Sequence, residues 1–253
     1  MKISYLLASN KQPKHIKRVV DQLYRLPDHD FEVIVCSSSS SNYQCDNALV
    51  CCIQDDEGAA SSVRAFNKAY KHSSGDIIVV CVDDHDIPQN IVELPSFFMS
   101  DKIQQLKFKS ANLTHILGGP GKLYFLKEDR RQMNTIWWDI NSVFPPDVKN
   151  IRPYNVFHFP ALLRDTIETY MDGVIFNESF IHHYCDSWLG FYEEKINGFR
   201  ECKELGPNHI WFKVVKNVNE LVASTQHDLH DKEVMRRLIE LSDQDISYNT
   251  KVY

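Results

Sequence analysis

Four short apolar runs rich in β-branched residues, separated by helical patterns and polar loops, constrain the fold of this chain most. They occupy residues 3–8, 31–36, 48–53 and 77–82. Continuous apolar strands that alternate with helices are typical of a parallel sheet covered on both faces. Their order, β-α-β-β-α-β, predicts a Rossmann-like α/β half in which ligands bind beyond the carboxyl ends of the strands.

The helical patterns begin between these runs and continue along the chain. Pro13 suits a first helical turn, and apolar residues follow at helical spacing as far as Leu26. A second pattern carries Val63, Phe66, Ala69 and Tyr70. Further helices are predicted over residues 91–99, 161–170, 187–197 and 231–241. Since no repeat or low-complexity linker marks a boundary, one domain spanning 1–253 is predicted.

Charge and cysteine content restrict the classes of function. The net charge of −6 argues against nonspecific binding of nucleic acid, which needs clustered Lys and Arg. The seven cysteines form no CxxC pair, and four of them lie in the apolar runs, so we expect reduced core residues. No apolar run has the length of a signal peptide core or a membrane span. We therefore expect a cytoplasmic protein without a transmembrane segment.

Three carboxylates stand together where the fourth apolar run ends. Asp83, Asp84 and Asp86 fall within four positions, just before Pro88. Such carboxylates repel one another unless water or a cation neutralises them, and hard oxygen ligands favour Mg²⁺ or Mn²⁺. An acidic turn in which Asp83 or Asp86 caps a helix is the alternative interpretation.

Further motifs follow the strands in a fixed order. Ser9-Asn10 comes after the first strand, a run over 58–69 contains Arg64 and Asn67, and Gly75-Asp76 precedes the fourth strand. The last two are similar to the pattern G-x-x-x-x-x-R-N-x-G…G-D-y-i-v, and Asp84-His85-Asp86 takes the place of an Asp-x-Asp metal motif. Together they resemble the donor half of inverting, family-2-like nucleotide-sugar glycosyltransferases of the GT-A fold. The resemblance implies a nucleotide-sugar-binding half over 1–100 and an acceptor-side half over 101–253.

The resemblance also implies which residues form the donor site. The donor would bind along Ala8, Ser9, Asn10, Arg64, Asn67 and Asp84. A Mn²⁺ or Mg²⁺ ion would bind Asp84 and Asp86. The family commonly carries an Asp after the second strand to read the donor base, whereas serines occupy 37–40 here. Ser37 is therefore the expected contact, with Asp55 or Asp56 after the third strand as a substitute for the missing acid.

A second match lies downstream, at residues 184–190. Tyr-Cys-Asp-Ser-Trp-Leu-Gly, with Gly198 beyond it, resembles the family's E-D-x-x-L…G segment, which implies that Asp186 is the general base. A sugar hydroxyl is a poor nucleophile, and a nearby carboxylate can take its proton during attack. A helix N-cap without chemistry is the alternative for Asp186. Cys185 replaces the family's Glu, and Glu178 is a candidate to supply its contribution.

The resemblance places a histidine near the C-terminal end of the site. His227 is the predicted metal or diphosphate ligand, with His230 as the other candidate. A surface histidine without a ligand is the alternative interpretation for either residue.

The function implied is metal-dependent transfer of a sugar from a nucleotide-diphosphate donor to an acceptor hydroxyl, with inversion. The acceptor is open among a glycan, a lipid-linked sugar, a protein and a modified base. A nucleotidyltransferase is the first alternative, although residues 8–11 lack the Gly-rich basic loop expected there. The second alternative is a glycan- or nucleotide-binding module without turnover. No GxGxxG follows residues 3–8, which argues against a dinucleotide oxidoreductase.

Overall fold

The computed structural model describes residues 1–9, 13–38, 43–47, 49–54, 61–83, 85–99, 123–126, 160–192, 199–202, 213–214 and 225–252. Four parallel strands form the centre: β1 (Ile3–Ser9), β2 (Phe31–Ser37), β3 (Val50–Gln54) and β4 (Ile77–Cys81). Each confirms a predicted strand to within two residues. The strand order is β3-β2-β1-β4, so β1 pairs with β2 on one side and with β4 on the other.

Two helices cover opposite faces of this sheet. Helix α1 (Pro13–Tyr24) and helix α2 (Ser62–Lys71) both lie where their apolar spacing predicts them. Alternate side chains of a strand point to opposite faces. Thus Tyr5 and Leu7 share a core with α1, whereas Leu6 shares the other core with α2. The result is the predicted Rossmann-like α/β architecture.

The predicted helix over 161–170 is partly wrong, because its first three residues form a strand. Strand β7 (Ala161–Leu163) pairs antiparallel with β4, and only Arg164–Tyr170 is helical (α4). All three strand residues are buried. An apolar run this short fits either a helix or a buried strand by its pattern alone. The pairing decides for the strand, because it satisfies the backbone of β4, which would otherwise be an edge.

The remaining elements are short, apart from the last helix. A 3₁₀ helix (Gln89–Glu93) and helix α3 (Leu94–Phe98) cover the predicted 91–99, while α5 (Cys185–Phe191) and α6 (Thr225–Leu241) both begin earlier than predicted. Residues 193–197 of the predicted 187–197 helix lie outside the described residues. Two small antiparallel pairs complete the set: β5 (His85–Asp86) with β9 (Lys213–Val214), and β6 (Leu123–Leu126) with β8 (Phe199–Cys202).

The described residues beyond 160 are joined to the sheet through one continuous core. The α2 face of the sheet packs against residues 174–192, helix α6 and the segment 246–252. Trp188, fully buried, donates from Nε1 to the Tyr248 carbonyl at 2.9 Å, and the Tyr248 hydroxyl donates to the Ile175 carbonyl at 2.8 Å. Buried polar groups of these two aromatic residues are thus paired, which fixes the C-terminal segment against the core.

Two features of the wider chain accord with the composition. The six cysteines that lie in the described ranges with their side chains are free thiols. Among the helices whose residues are described, none combines the length and the apolar character needed to cross a bilayer.

The Glu32 carboxylate links neighbouring strands by hydrogen bonds at the amino edge of the sheet. Glu32 of β2 accepts hydrogen bonds from Lys2 Nζ at 2.7 Å, Ser4 Oγ at 2.6 Å and Ser74 N at 2.5 Å. Partial burial alone would raise the pKa of Glu32, but these hydrogen bonds outweigh it and lower the pKa to about 2. Gly75 lies against the same cluster, and a Cβ there would stand 2.5 Å from Ser4 Oγ. The glycine of the Gly75-Asp76 motif is therefore needed for close approach of β1 and β4.

We predict that Glu32→Gln lowers the free energy of unfolding by about 2 kcal/mol at neutral pH, because it weakens hydrogen bonds to a charged acceptor. The folded pKa lies below the ordinary value of 4.5. The stabilisation is therefore complete above that value and is lost as pH falls through the folded pKa. Urea denaturation of both proteins from neutral pH down to about pH 3 measures this. Equal stability of the two proteins at neutral pH would contradict the assignment.

Candidate functional site

The carboxyl ends of the central strands bring several of the predicted donor residues together. Ser9 and Ser37 are register partners at the ends of β1 and β2, and Ala8 precedes Ser9. Leu7 pairs with Cys81, so Asp83, two residues beyond β4, lies next to Ser9. The Ser9 hydroxyl donates to Asp83 Oδ2. Asp83 is only 7% exposed. The edge therefore presents two serines and a nearly buried carboxylate at the place where such sheets bind ligands.

Asp83, which the sequence groups with Asp84 and Asp86 as a cation-binding cluster or an acidic turn, lies at this edge beside Ser9. Its position follows from strand register, since a residue two beyond Cys81 must face one two beyond Leu7. Three predicted donor or metal residues, Asn10, Asp55 and Asp84, lie outside the described residues. His227 falls within α6, but its side chain also lies outside them.

Helix α1 holds the acidic turn from one side. Arg18 Nη1 donates to Asp86 Oδ1 at 2.6 Å, and Arg18 Nη2 donates to the Asp83 carbonyl at 2.8 Å. Gln22 makes two further hydrogen bonds. Its Nε2 donates to Asp86 Oδ1 at 2.6 Å, and its Oε1 accepts from the Ile87 amide at 2.9 Å. The turn after β4 is thus fixed to α1 by side chains whose role the sequence pattern did not reveal.

The oxygen donors at this edge suit a hard divalent cation. The Asp86 side chain is 41% exposed, and its Oδ2 accepts no hydrogen bond from any residue the structure describes. Among the described side chains of this turn, Asp83 and Asp86 supply two carboxylates against the guanidinium of Arg18, which leaves negative charge for a cation. Within the described ranges, no three His, Cys, Asp or Glu side chains converge as a metal site. A complete ligand set would therefore need Asp84 or His227 in addition.

Helix α2 carries two predicted donor residues in different surroundings. Arg64 is exposed, one turn from the helix start. Asn67 is 3% exposed; its Nδ2 donates to the Phe176 carbonyl at 2.8 Å, and its Oδ1 accepts from the Ile175 and Phe176 amides at 3.0 and 3.1 Å. The Asn67 amide therefore joins α2 to the backbone of residues 175–176. Its predicted donor contact stays a prediction, and these bonds indicate a structural role.

The loop over 181–184 brings Asp186 to the same edge of the sheet. Helix α2 starts at the carboxyl edge, because it follows β3 and leads back to the beginning of β4. The Ile181 carbonyl accepts from Ser61 Oγ at 2.8 Å and from the Val63 amide at 3.4 Å, both at that helix start. Asp186 follows in the first turn of α5, so the topology places it on the side of the sheet where Ser9 and Asp83 lie.

Asp186 is not the N-cap of its helix. Tyr184 occupies the cap position in a left-handed conformation with φ of 60° and makes no side-chain capping bond. Asp186 Oδ1 accepts from the Ser187 amide at 2.7 Å, and the residue is half-buried. The structure therefore removes the conventional capping alternative.

Cys185, which replaces the family's glutamate, and Glu178, the candidate substitute, lie in surroundings that shift the pKa of each. Burial, together with the nearby carboxylates of Asp186 and Asp231, raises the pKa of the Cys185 thiol well above its usual value, so it stays protonated. Glu178 forms an ion pair with Lys251, and the hydrogen bond from the Lys251 ammonium lowers the pKa of Glu178. A carboxylate stabilised in this way is a weaker base.

His230 also lies close to the 181–184 loop. It is exposed, and its Nε2 is 3.1 Å from the Ser179 carbonyl. The same nitrogen is 3.9 Å from Asp231 Oδ1. His230 thus contacts the segment preceding Asp186. To bind a metal or a diphosphate through Nε2, it would have to give up its contact with the Ser179 carbonyl.

Comparison with solved structures identifies the class of fold. S. aureus TarS, as the fragment 1–349, aligns with a TM-score of 0.54 at 11% identity, over 98% of this chain and 67% of its own. The same fragment in complex with UDP gives 0.53 at 13% identity, over 98% and 68%. A longer TarS chain gives 0.53 at 12% identity, over 98% of this chain, which spans only 41% of that chain.

These alignments, with the mainly parallel sheet, show that this chain has the Rossmann-like GT-A fold. The resemblance drawn from the sequence is thereby confirmed at the level of the fold. No protein-family profile matches the sequence, and no curated protein matches it either.

We predict that Asn67→Ala destabilises the protein by about 2–4 kcal/mol, because it leaves buried backbone groups at Ile175 and Phe176 without partners. Urea denaturation measures the loss. Lys71→Ala, at the exposed end of the same helix, is the control and should change stability by less than about 0.5 kcal/mol. Unchanged stability in Asn67→Ala would contradict the structural role and return this residue to the donor site.

Proposed function

We propose that this protein is a glycosyltransferase that moves a sugar from a nucleotide-diphosphate donor to an acceptor hydroxyl with inversion. The observation that carries the proposal is the grouping of Ser9, Ser37 and Asp83 at the carboxyl edge of a GT-A sheet, beside the acidic turn. That edge is where α/β folds of this kind bind nucleotides.

A uridine nucleotide is the first donor to test. TarS, which shares the fold, has been solved with UDP. In this chain, the hydroxyls of Ser9 and Ser37 offer donors and acceptors to a nucleoside, and the Asp83 carboxylate can accept from a ribose hydroxyl. Arg64 is exposed near the start of α2, where its charge would favour a diphosphate.

The acidic turn would hold a Mn²⁺ or Mg²⁺ ion through Asp86, together with Asp84 and, by the resemblance, His227. When bound, such an ion offsets the charge that develops on a diphosphate leaving group. Arg18 contributes independently of the ion, because it fixes both Asp86 and the Asp83 carbonyl. The turn is therefore preorganised before a donor binds.

Asp186 is the proposed general base. Asp186 lies in the first turn of α5, and we expect its carboxylate to stand across the edge from the acidic turn, as a site with separate donor and acceptor sides needs. The carboxylate would take the proton of the acceptor hydroxyl as its oxygen attacks the anomeric carbon. Attack opposite the leaving group inverts the configuration at that carbon.

The alternative is a nucleotide- or glycan-binding module without turnover. Cys185 favours it, because a protonated thiol stands where related enzymes have an acid. The Arg18–Asp86 ion pair also favours it, since a guanidinium already neutralises part of the turn. Both functions require the same edge, and only release of the donor sugar separates them.

We predict that wild-type protein binds UDP with Mn²⁺ or Mg²⁺ and releases UDP from at least one UDP-sugar, with water as acceptor. Thermal shift identifies the bound donor, because a ligand that binds only the folded state raises the melting temperature. UDP release is then followed on that donor with and without EDTA. Binding without any release across a full panel of UDP-sugars would support the binding module instead.

The matched variants for this test are Asp86→Asn and Asp21→Asn. Asp86→Asn keeps an oxygen for Arg18 and Gln22 but removes the ligand charge, so the metal-dependent part of UDP affinity should be lost. Asp21 is a carboxylate of α1 that pairs with Lys17 on the surface, and its variant should bind like wild type. Calorimetry showing the same metal dependence in Asp86→Asn would refute the ligand role.

We predict that Asp186→Asn lowers turnover by about 10²–10⁴-fold, as expected for a lost general base. The melting temperature and UDP affinity should barely change, because an amide oxygen can still accept from Ser187. Steady-state kinetics and thermal denaturation on the same preparation measure all three quantities. Full activity in Asp186→Asn would transfer the role to another carboxylate.

A further inference from the structure

The segment before Asp186 is held by a single buried carboxylate from another part of the chain. Asp231 of α6 is 0% exposed. Its Oδ1 accepts from the Ile181 amide at 2.8 Å, and its Oδ2 accepts from the His182 and His183 amides at 2.8 and 2.6 Å. Three successive amides thus converge on one side chain, in the manner of an anion-binding nest.

The Asp231 carboxylate is fully buried, and three backbone amides donate hydrogen bonds to it. Burying an ionised carboxylate is unfavourable unless hydrogen bonds or cations compensate it. Among the described residues, the basic group near Asp231 is the exposed His230, whose Nε2 lies 3.9 Å from Asp231 Oδ1. The amides of 181–183 therefore provide most of the compensation, and the loop and the carboxylate fix each other.

The other side of the loop is tied to the donor half. Ser61 Oγ donates to the Ile181 carbonyl at 2.8 Å, and His182 Nδ1 lies 2.7 Å from Ser62 Oγ. The loop then turns through Tyr184, whose φ of 60° is rare for a residue with a side chain. A conformation of that kind persists only where its surroundings determine it. The anchor at Asp231 supplies one such constraint directly before α5.

We propose that Asp231 is a positioning residue: by holding residues 181–183 between α2 and α6, it sets the direction of α5 and the place of Asp186 opposite the donor. This inference rests on the proposed function for its catalytic consequence. Asp231 does not touch the reacting atoms. Displacement of a catalytic group by about 1 Å is enough to reduce turnover by about 10²-fold.

The test uses Asp231→Asn in the full chain, with Glu32→Gln as the matched control. Both substitutions neutralise a carboxylate that accepts backbone amides, but Glu32 lies at the opposite edge of the sheet. Cys185, which directly precedes Asp186, reports opening of the loop through its alkylation rate by iodoacetamide. Cys81 of β4 is a second buried thiol and reports global opening in the same sample. Peptide mass spectrometry measures both rates.

In Asp231→Asn we expect Cys185 to be alkylated about 10-fold faster or more, with Cys81 unchanged, because only local structure opens. Turnover of the UDP-sugar should fall by about 10–10²-fold, with UDP affinity within about twofold of wild type. Glu32→Gln should lower the melting temperature without a selective acceleration of Cys185 over Cys81 and without a loss of turnover. If Asp231→Asn does not fold, Asp231→Glu is measured instead, and the same directions are expected.

Three results would overturn the proposal: unchanged alkylation of Cys185, equal acceleration of Cys185 and Cys81, or an equal loss of turnover in Glu32→Gln. A wild-type protein that releases no UDP from any UDP-sugar would instead refute the proposed function. The alkylation arm needs no substrate, so it still decides whether Asp231 holds the loop.

Discussion

The parallel pairing of β1 with β2 on one side and β4 on the other determines where the polar groups of this protein meet. In the register that pairs Ile3 with Phe31, Ser9 is the partner of Ser37. In the register that pairs Leu7 with Cys81, Asp83 lies next to Ser9. A shift of one residue in either pairing would turn each of these side chains to the opposite face of the sheet. At the amino edge, Glu32 accepts a hydrogen bond from Ser4 of β1. Gly75 lies against Ser4, and a larger side chain at position 75 would separate β1 from β4.

The proposed site has a donor side and an acceptor side, and each is held by side chains that need not touch a substrate. On the donor side, Arg18 and Gln22 of α1 fix the acidic turn through Asp86 and backbone groups. On the acceptor side, Asp231 fixes the loop that leads to Asp186. Both anchors come from helices distant in sequence from the groups they hold. A rigid arrangement of this kind suits a reaction in which charge develops on one side and a proton leaves on the other.

The sequence was informative where structure follows from local pattern. The four strands have continuous apolar runs bounded by polar residues, and α1 and α2 have a single apolar face, so their limits could be predicted closely. Ala161–Leu163 was predicted as helix because three apolar residues have no distinctive period. Asn67 matched a donor motif, yet its amide pairs with a backbone carbonyl 109 residues away, which no local pattern encodes. Asp83 and Asp231 depend likewise on register and on tertiary contact.

The most direct test of the account is a crystal structure of the protein with UDP and Mn²⁺. We expect the nucleotide to lie across the carboxyl ends of β1, β2 and β4, within hydrogen-bond distance of Ser9, Ser37 or Asp83. We also expect the metal to contact Asp86, with the Asp186 carboxylate facing the diphosphate across the cleft. A nucleotide bound at any other surface of the sheet, at concentrations that saturate binding in solution, would contradict it.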